Sequence, residues 1–140
     1  MDQADEYHPI TEQEMRDLGS ALVKRFQIGD VICLHGALGA GKTTLVRGVI
    51  ASLGHQEIVR SPTFNLLQVF PTMPPILHAD LYRVASAEGL GIEDYLDTHI
   101  CFIEWPEHSG DLFNLEQTWN VEIAFEGEGR KVTIIPPQTR

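Results

Sequence analysis

The stretch "CLHGALGAGKTTLVRG", residues 33–48, constrains the fold more than any other. Within it Gly36, Gly41, Lys42 and Thr43 take the spacing G-x-x-x-x-G-K-[ST] of a phosphate-binding loop. Such a loop must leave a buried strand and open a helix. The flanks supply both. Val31-Ile32-Cys33-Leu34 is a continuous apolar run, as expected of a strand covered on both faces. Leu45, Val46, Val49, Ile50 and Leu53 line one side of a following helix, and Gly54 is a natural stop. Glycines at 36, 39 and 41 let backbone N–H groups converge on phosphates without Cβ obstruction. The helix N-terminus turns its partial positive charge toward the anion. Lys42 then reaches the β and γ oxygens, and the Thr43 hydroxyl holds Mg²⁺. The competing reading is a glycine-rich turn with no ligand.

The rest of the chain reads as one α/β domain over 1–140, with residues 1–10 as a flexible N-terminus. Thr11 and Glu14 have capping-box spacing, and Met15, Leu18, Leu22 and Phe26 give an amphipathic helix over 12–26. "TFNLLQVF" and "ILHADLYRV" read as strands joined by "PTMPP", too short for a helical crossover and so an antiparallel hairpin. Residues 86–96 read as short helical turns broken by Gly89 and Gly91. "ICFIEW" is another buried strand. Val121, Ile123 and Phe125 alternate, "EGEG" turns, and Val132 and Ile134 return as a second hairpin. The sum is a phosphate-loop NTPase-like domain with a mixed parallel and antiparallel central sheet and helices on its faces.

The formal charge of −10, from 20 acidic against 10 basic residues, argues against unaided binding to nucleic acid, whose phosphates need a basic patch. No apolar run approaches the roughly 20 residues of a membrane span. The acidic start is not a signal peptide, so the cytoplasm is the default. Cys33 and Cys101 each sit in an apolar run and read as buried, reduced thiols.

A phosphate-loop enzyme needs an acid on the Mg²⁺ side, at the carboxyl end of a neighbouring strand. Glu104, which ends "ICFIE", fits. Period-two alternation puts His78, Asp80 and Tyr82 on one face of "ILHADLY", so Asp80 is the second candidate. It either positions the attacking water or supports the metal through water. Ser61 and Thr63 of "SPTF" are candidates for a γ-phosphate switch segment, although Ser-Pro is also an ordinary turn. Trp105 is either core or a lining of the nucleotide pocket. His78 reads as a hydrogen-bonded structural histidine, since no other His or Cys has metal-ligand spacing. The base-reading and switch motifs of GTPases are absent, which favours ATP.

Taken in order, "GALGAGKTT", "SPTF", "HADLYR", "GIEDYL" and "IEWPE" resemble the TsaE (YjeE) family over residues 11–135. The resemblance implies a cytoplasmic ATPase of tRNA threonylcarbamoyladenosine biosynthesis that works with TsaB and TsaD, meets tRNA through that complex, and uses ATP and Mg²⁺. It implies that Gly39, Ala40, Gly41, Lys42, Thr43 and Thr44 wrap the phosphates, and that Thr43 and Glu104 ligate Mg²⁺. Asp80, Tyr82 and Arg83 fall on the family's functional "DLYR". Thr11 and Arg130 match nucleotide contacts near the first helix and the C-terminal hairpin. Two departures stand out: a segment between "DLYR" and "GIEDYL" about one helical turn short, and no basic residue after "PE". Both bear on a partner surface rather than the loop. From the residues alone, a small-molecule kinase and a nucleotide-gated binding module remain open beside the ATPase.

Overall fold

A strand that feeds a phosphate loop must be shielded along both edges, and here it is. In the computed structural model, which describes residues 4–55 and 66–138, β2 (Val31–His35) lies between β5 (Ile100–Glu104) and β6 (Trp119–Glu126), parallel to both. Ser61 and Thr63 fall outside the described residues. Beyond β5, β4 (Ile76–Asp80) is also parallel, and β3 (Leu67–Phe70) pairs antiparallel with it as the expected hairpin. Beyond β6 comes its hairpin partner β7 (Gly129–Ile135), then β1 (Asp5–Tyr7) at the edge. The sheet order is β1-β7-β6-β2-β5-β4-β3.

Part of the N-terminal stretch expected to be flexible is placed in the sheet. Asp5–Tyr7 forms an antiparallel edge strand on β7, with Asp5 opposite Ile134. Three polar residues carry no apolar alternation, so the pairing had no signal in the sequence. Its charges find partners instead: Asp5 with Arg25 at 3.0 Å and Glu6 with Lys131 at 3.5 Å.

The two faces of the sheet are covered differently. Ile32, Leu34, Ile76, Ile100, Phe102, Val121 and Ile123 pack against α1 (Glu12–Leu22) and α2 (Lys42–Ser52), which both lie on that side. Phe26 stands edge-on to Phe102 and Trp119 there, with centroids 5.9 and 5.0 Å away. Leu77, Ala79, Cys101 and Ile103 face the other way, onto Leu81, Ala87 and Ile92. Among the described residues that second cover includes 3-10 turns at Ile92–Tyr95 and Pro106–His108. Among the described residues, both α-helices lie on the first face. Gly89 and Gly91, at φ +84° and +82°, interrupt the segment before a full helix can form. The first helix ends at Leu22 and tightens into a 3-10 turn over Val23–Arg25. Cys33 and Cys101 are free and buried, and burial pushes their thiols up to about 11 and about 12. No helix of the described residues is long and apolar enough to cross a membrane.

α1 and α2 meet at a pair of glycines. A Cβ on Gly48 would lie 2.0 Å from the Arg16 carbonyl oxygen, and one on Gly19 would lie 2.2 Å from that of Leu45. Ser20 Oγ bridges the crossing, donating to Gly48 O at 3.0 Å and Arg16 O at 3.2 Å. The obstacle is backbone, so a new methyl group must push the helices apart. Gly48→Ala is expected to cost about 1–3 kcal/mol, toward the upper end, despite alanine's better helix propensity. The denaturant midpoint should fall with the slope unchanged. A midpoint equal to the parent's would remove close approach as the reason for the glycine.

Candidate functional site

The site lies where β2, β4 and β5 end. Parallel strands present their carboxyl ends to one crevice, so residues far apart in sequence arrive together. The glycine loop leaves β2 at His35, and α2 begins at Lys42. Gly41 caps α2 at φ +115°, a conformation strained for any residue with a side chain, and the space a Cβ would need is closed by Met15 Cε at 3.0 Å. The register sets Asp80 beside Glu104 on adjacent strands. Leu38, Gly39, Gly41, Lys42, Thr43, Thr44, Asp80, Glu104 and Trp105 line a cleft of about 370 Å³, with Glu12 at its rim.

Lys42 is almost fully buried. Its Nζ donates to Gly36 O at 2.7 Å and lies 3.9 Å from the centre of the Trp105 ring. Burial pushes its pKa below the ordinary lysine value, against the opposing pull of Glu104, Asp80 and Glu107. Thr43 Oγ1 donates to Glu104 Oε2 at 2.9 Å, and His78 Nε2 meets the same oxygen at 2.5 Å. Burial alone would raise the Glu104 carboxyl. The hydrogen bond and charge of His78, the Thr43 hydroxyl and Lys42 outweigh it and hold the group below its usual range. His78 is hydrogen-bonded as expected, with the acid itself as partner.

Asp80 Oδ1 accepts the Tyr82 N–H at 3.0 Å, which turns the chain out of β4. Trp105 lines the cleft and, half-buried, packs against the second core cluster with φ +59°. Tyr82 lies against it at 4.8 Å between centroids, and His108 stacks at 6.2 Å. Arg83 is exposed and does not line the cleft.

A second cavity of about 260 Å³ opens beside the first, lined by Thr11, Met15, Ala40, Thr44, Glu128 and Arg130 among others. Thr11 and Arg130 therefore lie together beside the loop, but both already have partners. Thr11 Oγ1 accepts the Glu14 N–H at 3.1 Å and caps α1. Arg130 donates from Nε to Ala40 O at 2.9 Å and from Nη2 to Gly39 O at 3.3 Å, with its guanidinium 4.5 Å from the Phe125 ring centre. Glu12, Met15 and Glu128 carry no site signal in the sequence, where Met15 reads as a helix core position. They reach the site from a helix and a hairpin turn whose docking no local pattern announces.

Among the described residues no group of three or more His, Cys, Asp and Glu could hold a metal ion. A hydrated Mg²⁺ needs no such group, being held by one or two protein oxygens and completed by substrate phosphates. The adjacent hydroxyl and carboxylate of Thr43 and Glu104 are that kind of donor set.

A glycine loop between a buried parallel strand and a helix, with lysine, threonine and a strand-end acid in one cleft, defines a phosphate-loop NTPase-like domain. Residues 10–132 match the family described as threonylcarbamoyl adenosine biosynthesis protein TsaE. Similar proteins are named tRNA threonylcarbamoyladenosine biosynthesis protein TsaE. That of Streptomyces coelicolor is 41% identical over 100 residues, covering 66% of this chain and 68% of the relative. That of Haemophilus influenzae is 40% identical over 110 residues, 75% and 69% respectively. That of Treponema pallidum is 35% identical over 127 residues, 87% and 93%. The crystal structure of Bacillus subtilis YdiB superposes with a TM-score of 0.83 over 98% of this chain and 88% of that one, at 24% identity, and shares the fold. The chain belongs to the TsaE family.

Proposed function

We propose that the chain is a Mg²⁺-dependent ATP hydrolase of slow intrinsic turnover, acting as an accessory subunit in N6-threonylcarbamoyladenosine modification of tRNA and resetting the TsaB–TsaD complex between turnovers. The observation that carries the chemistry is the convergence of Thr43 Oγ1 and Glu104 Oε2, 2.9 Å apart, beside Lys42 in one cleft. The loop N–H groups and the start of α2 bind the phosphates. Lys42 exchanges the Gly36 carbonyl for a phosphate oxygen. Thr43 and Glu104 hold Mg²⁺, which when bound neutralises charge on the phosphoryl oxygens. Oε2 of Glu104 already accepts from two side chains, which suits a fixed acid on the metal side. Orienting the attacking water then falls to Asp80, at the end of the next strand.

No arginine lines the cleft among the described residues, and Arg130 is engaged with loop carbonyls. Without an arginine on the transferring group, phosphoryl transfer to water is slow. The acidic surface fits a protein that docks on protein partners and leaves tRNA to them.

The test is a modification assay with purified TsaB and TsaD, following product over several cycles with ATP and this chain. Added chain should leave the first turnover unchanged and raise the later ones, with ADP and free phosphate formed one for one. No gain on later cycles would overturn the reset role. Phosphate found on an acceptor metabolite instead would make the protein a kinase.

A further inference from the structure

We infer that His78 is a positioning residue for Glu104, holding the carboxylate in the rotamer that faces Thr43. The inference rests on the reading of Thr43 and Glu104 as the Mg²⁺ side of the cleft. His78 is fully buried, and Glu104 nearly so. Both lie on the inner face of the sheet, His78 two residues before the end of β4 and Glu104 at the end of β5. The register sets His78 beside Phe102 and Asp80 beside Glu104. His78 therefore reaches diagonally along the sheet to a carboxylate one step nearer the cleft.

The chemistry of the bond fixes the ring. An ionised carboxylate only accepts hydrogen bonds, so Nε2 must carry the proton it shares with Oε2. Thr43 Oγ1 donates to the same oxygen. Two donors, one from the neighbouring strand β4 and one from the first turn of α2, leave that oxygen little freedom to turn. The other ring nitrogen, Nδ1, is buried and has no hydrogen-bond partner among the described residues. A ring that served packing alone would gain from being apolar, because its neighbours on this face include Ile76, Ile100 and Phe102. Histidine keeps one buried nitrogen unsatisfied and in return supplies a single directed bond, which goes to the acid. Groups that orient a metal's own ligands in this way commonly change metal affinity by about 10–100-fold when removed.

The readout is the Mg²⁺ dependence of nucleotide binding, measured by calorimetry with a non-hydrolysable ATP analogue across a Mg²⁺ titration. In His78→Leu the Mg²⁺ midpoint should rise by about 10–100-fold, while binding of the analogue without Mg²⁺ stays within about twofold of the parent. His78→Gln places an amide donor near the position of Nε2 and should restore the midpoint to within about threefold. If His78→Leu does not fold, His78→Asn, polar but too short to reach Oε2, carries the same expectation. An unchanged midpoint in the leucine or asparagine variant would overturn the inference. So would a glutamine variant as weak as leucine, or an equal loss with and without Mg²⁺, which would make the ring a fold element only. Parent protein indifferent to Mg²⁺ would overturn this inference and the metal reading together, so the two failures are told apart.

Discussion

Lys42→Ala is expected to lower ATP hydrolysis by about 10²–10³-fold while leaving the fold in place. The magnitude is that of removing one preorganised charged donor from a site where negative charge develops. The physical basis is the position of Nζ. It is buried at the floor of the cleft, held by the Gly36 carbonyl at 2.7 Å and by the Trp105 ring. No other lysine or arginine of the described residues lines that cleft. The structural loss is one hydrogen bond and one cation–π contact, offset by the desolvation that a buried ammonium no longer requires. Stability should change by no more than about 1 kcal/mol. Single-turnover hydrolysis and a thermal melt on the same preparation separate the two quantities. Hydrolysis within a few-fold of the parent would remove Lys42 from the mechanism.

Glu104→Ala should also stop hydrolysis, by at least about 100-fold, but with a different signature. Nucleotide binding in the absence of Mg²⁺ should persist, because the loop N–H groups and Lys42 are untouched. Stability should fall, since the substitution strips Nε2 of His78 of its acceptor and leaves a buried polar group unpaired at about 1–3 kcal/mol. The carboxyl is held below its ordinary range, so its contribution is present above the unfolded glutamate value and is lost as pH falls through the lower folded one. The parent's advantage over the variant should therefore be full at neutral pH and shrink in acid. An advantage that grew on acidification would contradict the assignment. Full partner activation by a Glu104→Ala protein that no longer hydrolyses ATP would identify a nucleotide-gated binding module in place of an ATPase.

The sequence showed the loop clearly because its chemistry is local. Gly36, Gly41, Lys42 and Thr43 sit within eight residues, and the strand and helix that flank them each carry their own period. Glu104 and Asp80 were legible one level up, as polar residues closing apolar strands, and the register places them side by side. The bond between His78 and Glu104 was not legible. It depends on which strands are neighbours, and β4 and β5 are separated by residues 81–99. The same applies to Arg130 and the loop carbonyls, ninety positions apart. The edge strand Asp5–Tyr7 shows the converse failure: its pairing is made by backbone groups, which a side-chain pattern does not record. The short turns of "GLGIEDYL" were legible, because Gly89 and Gly91 break the segment locally and the structure has a 3-10 turn at Ile92–Tyr95.

Arg130 makes the C-terminal hairpin a silent participant in the loop's thermodynamics. Through two carbonyls it ties β7 to the glycine loop, its guanidinium rests on the cross-strand Phe125 ring of β6, and Pro9 O accepts its own N–H at 2.8 Å from the segment leading into α1. Elements joined in this way share their fluctuations. Whatever a ligand does to the loop's freedom is felt by the hairpin, and by reciprocity whatever restrains the hairpin alters the loop's affinity. A surface that seized β6 and β7 would then act on the cleft without touching it. The hairpin is a handle on the site as much as an edge of the sheet.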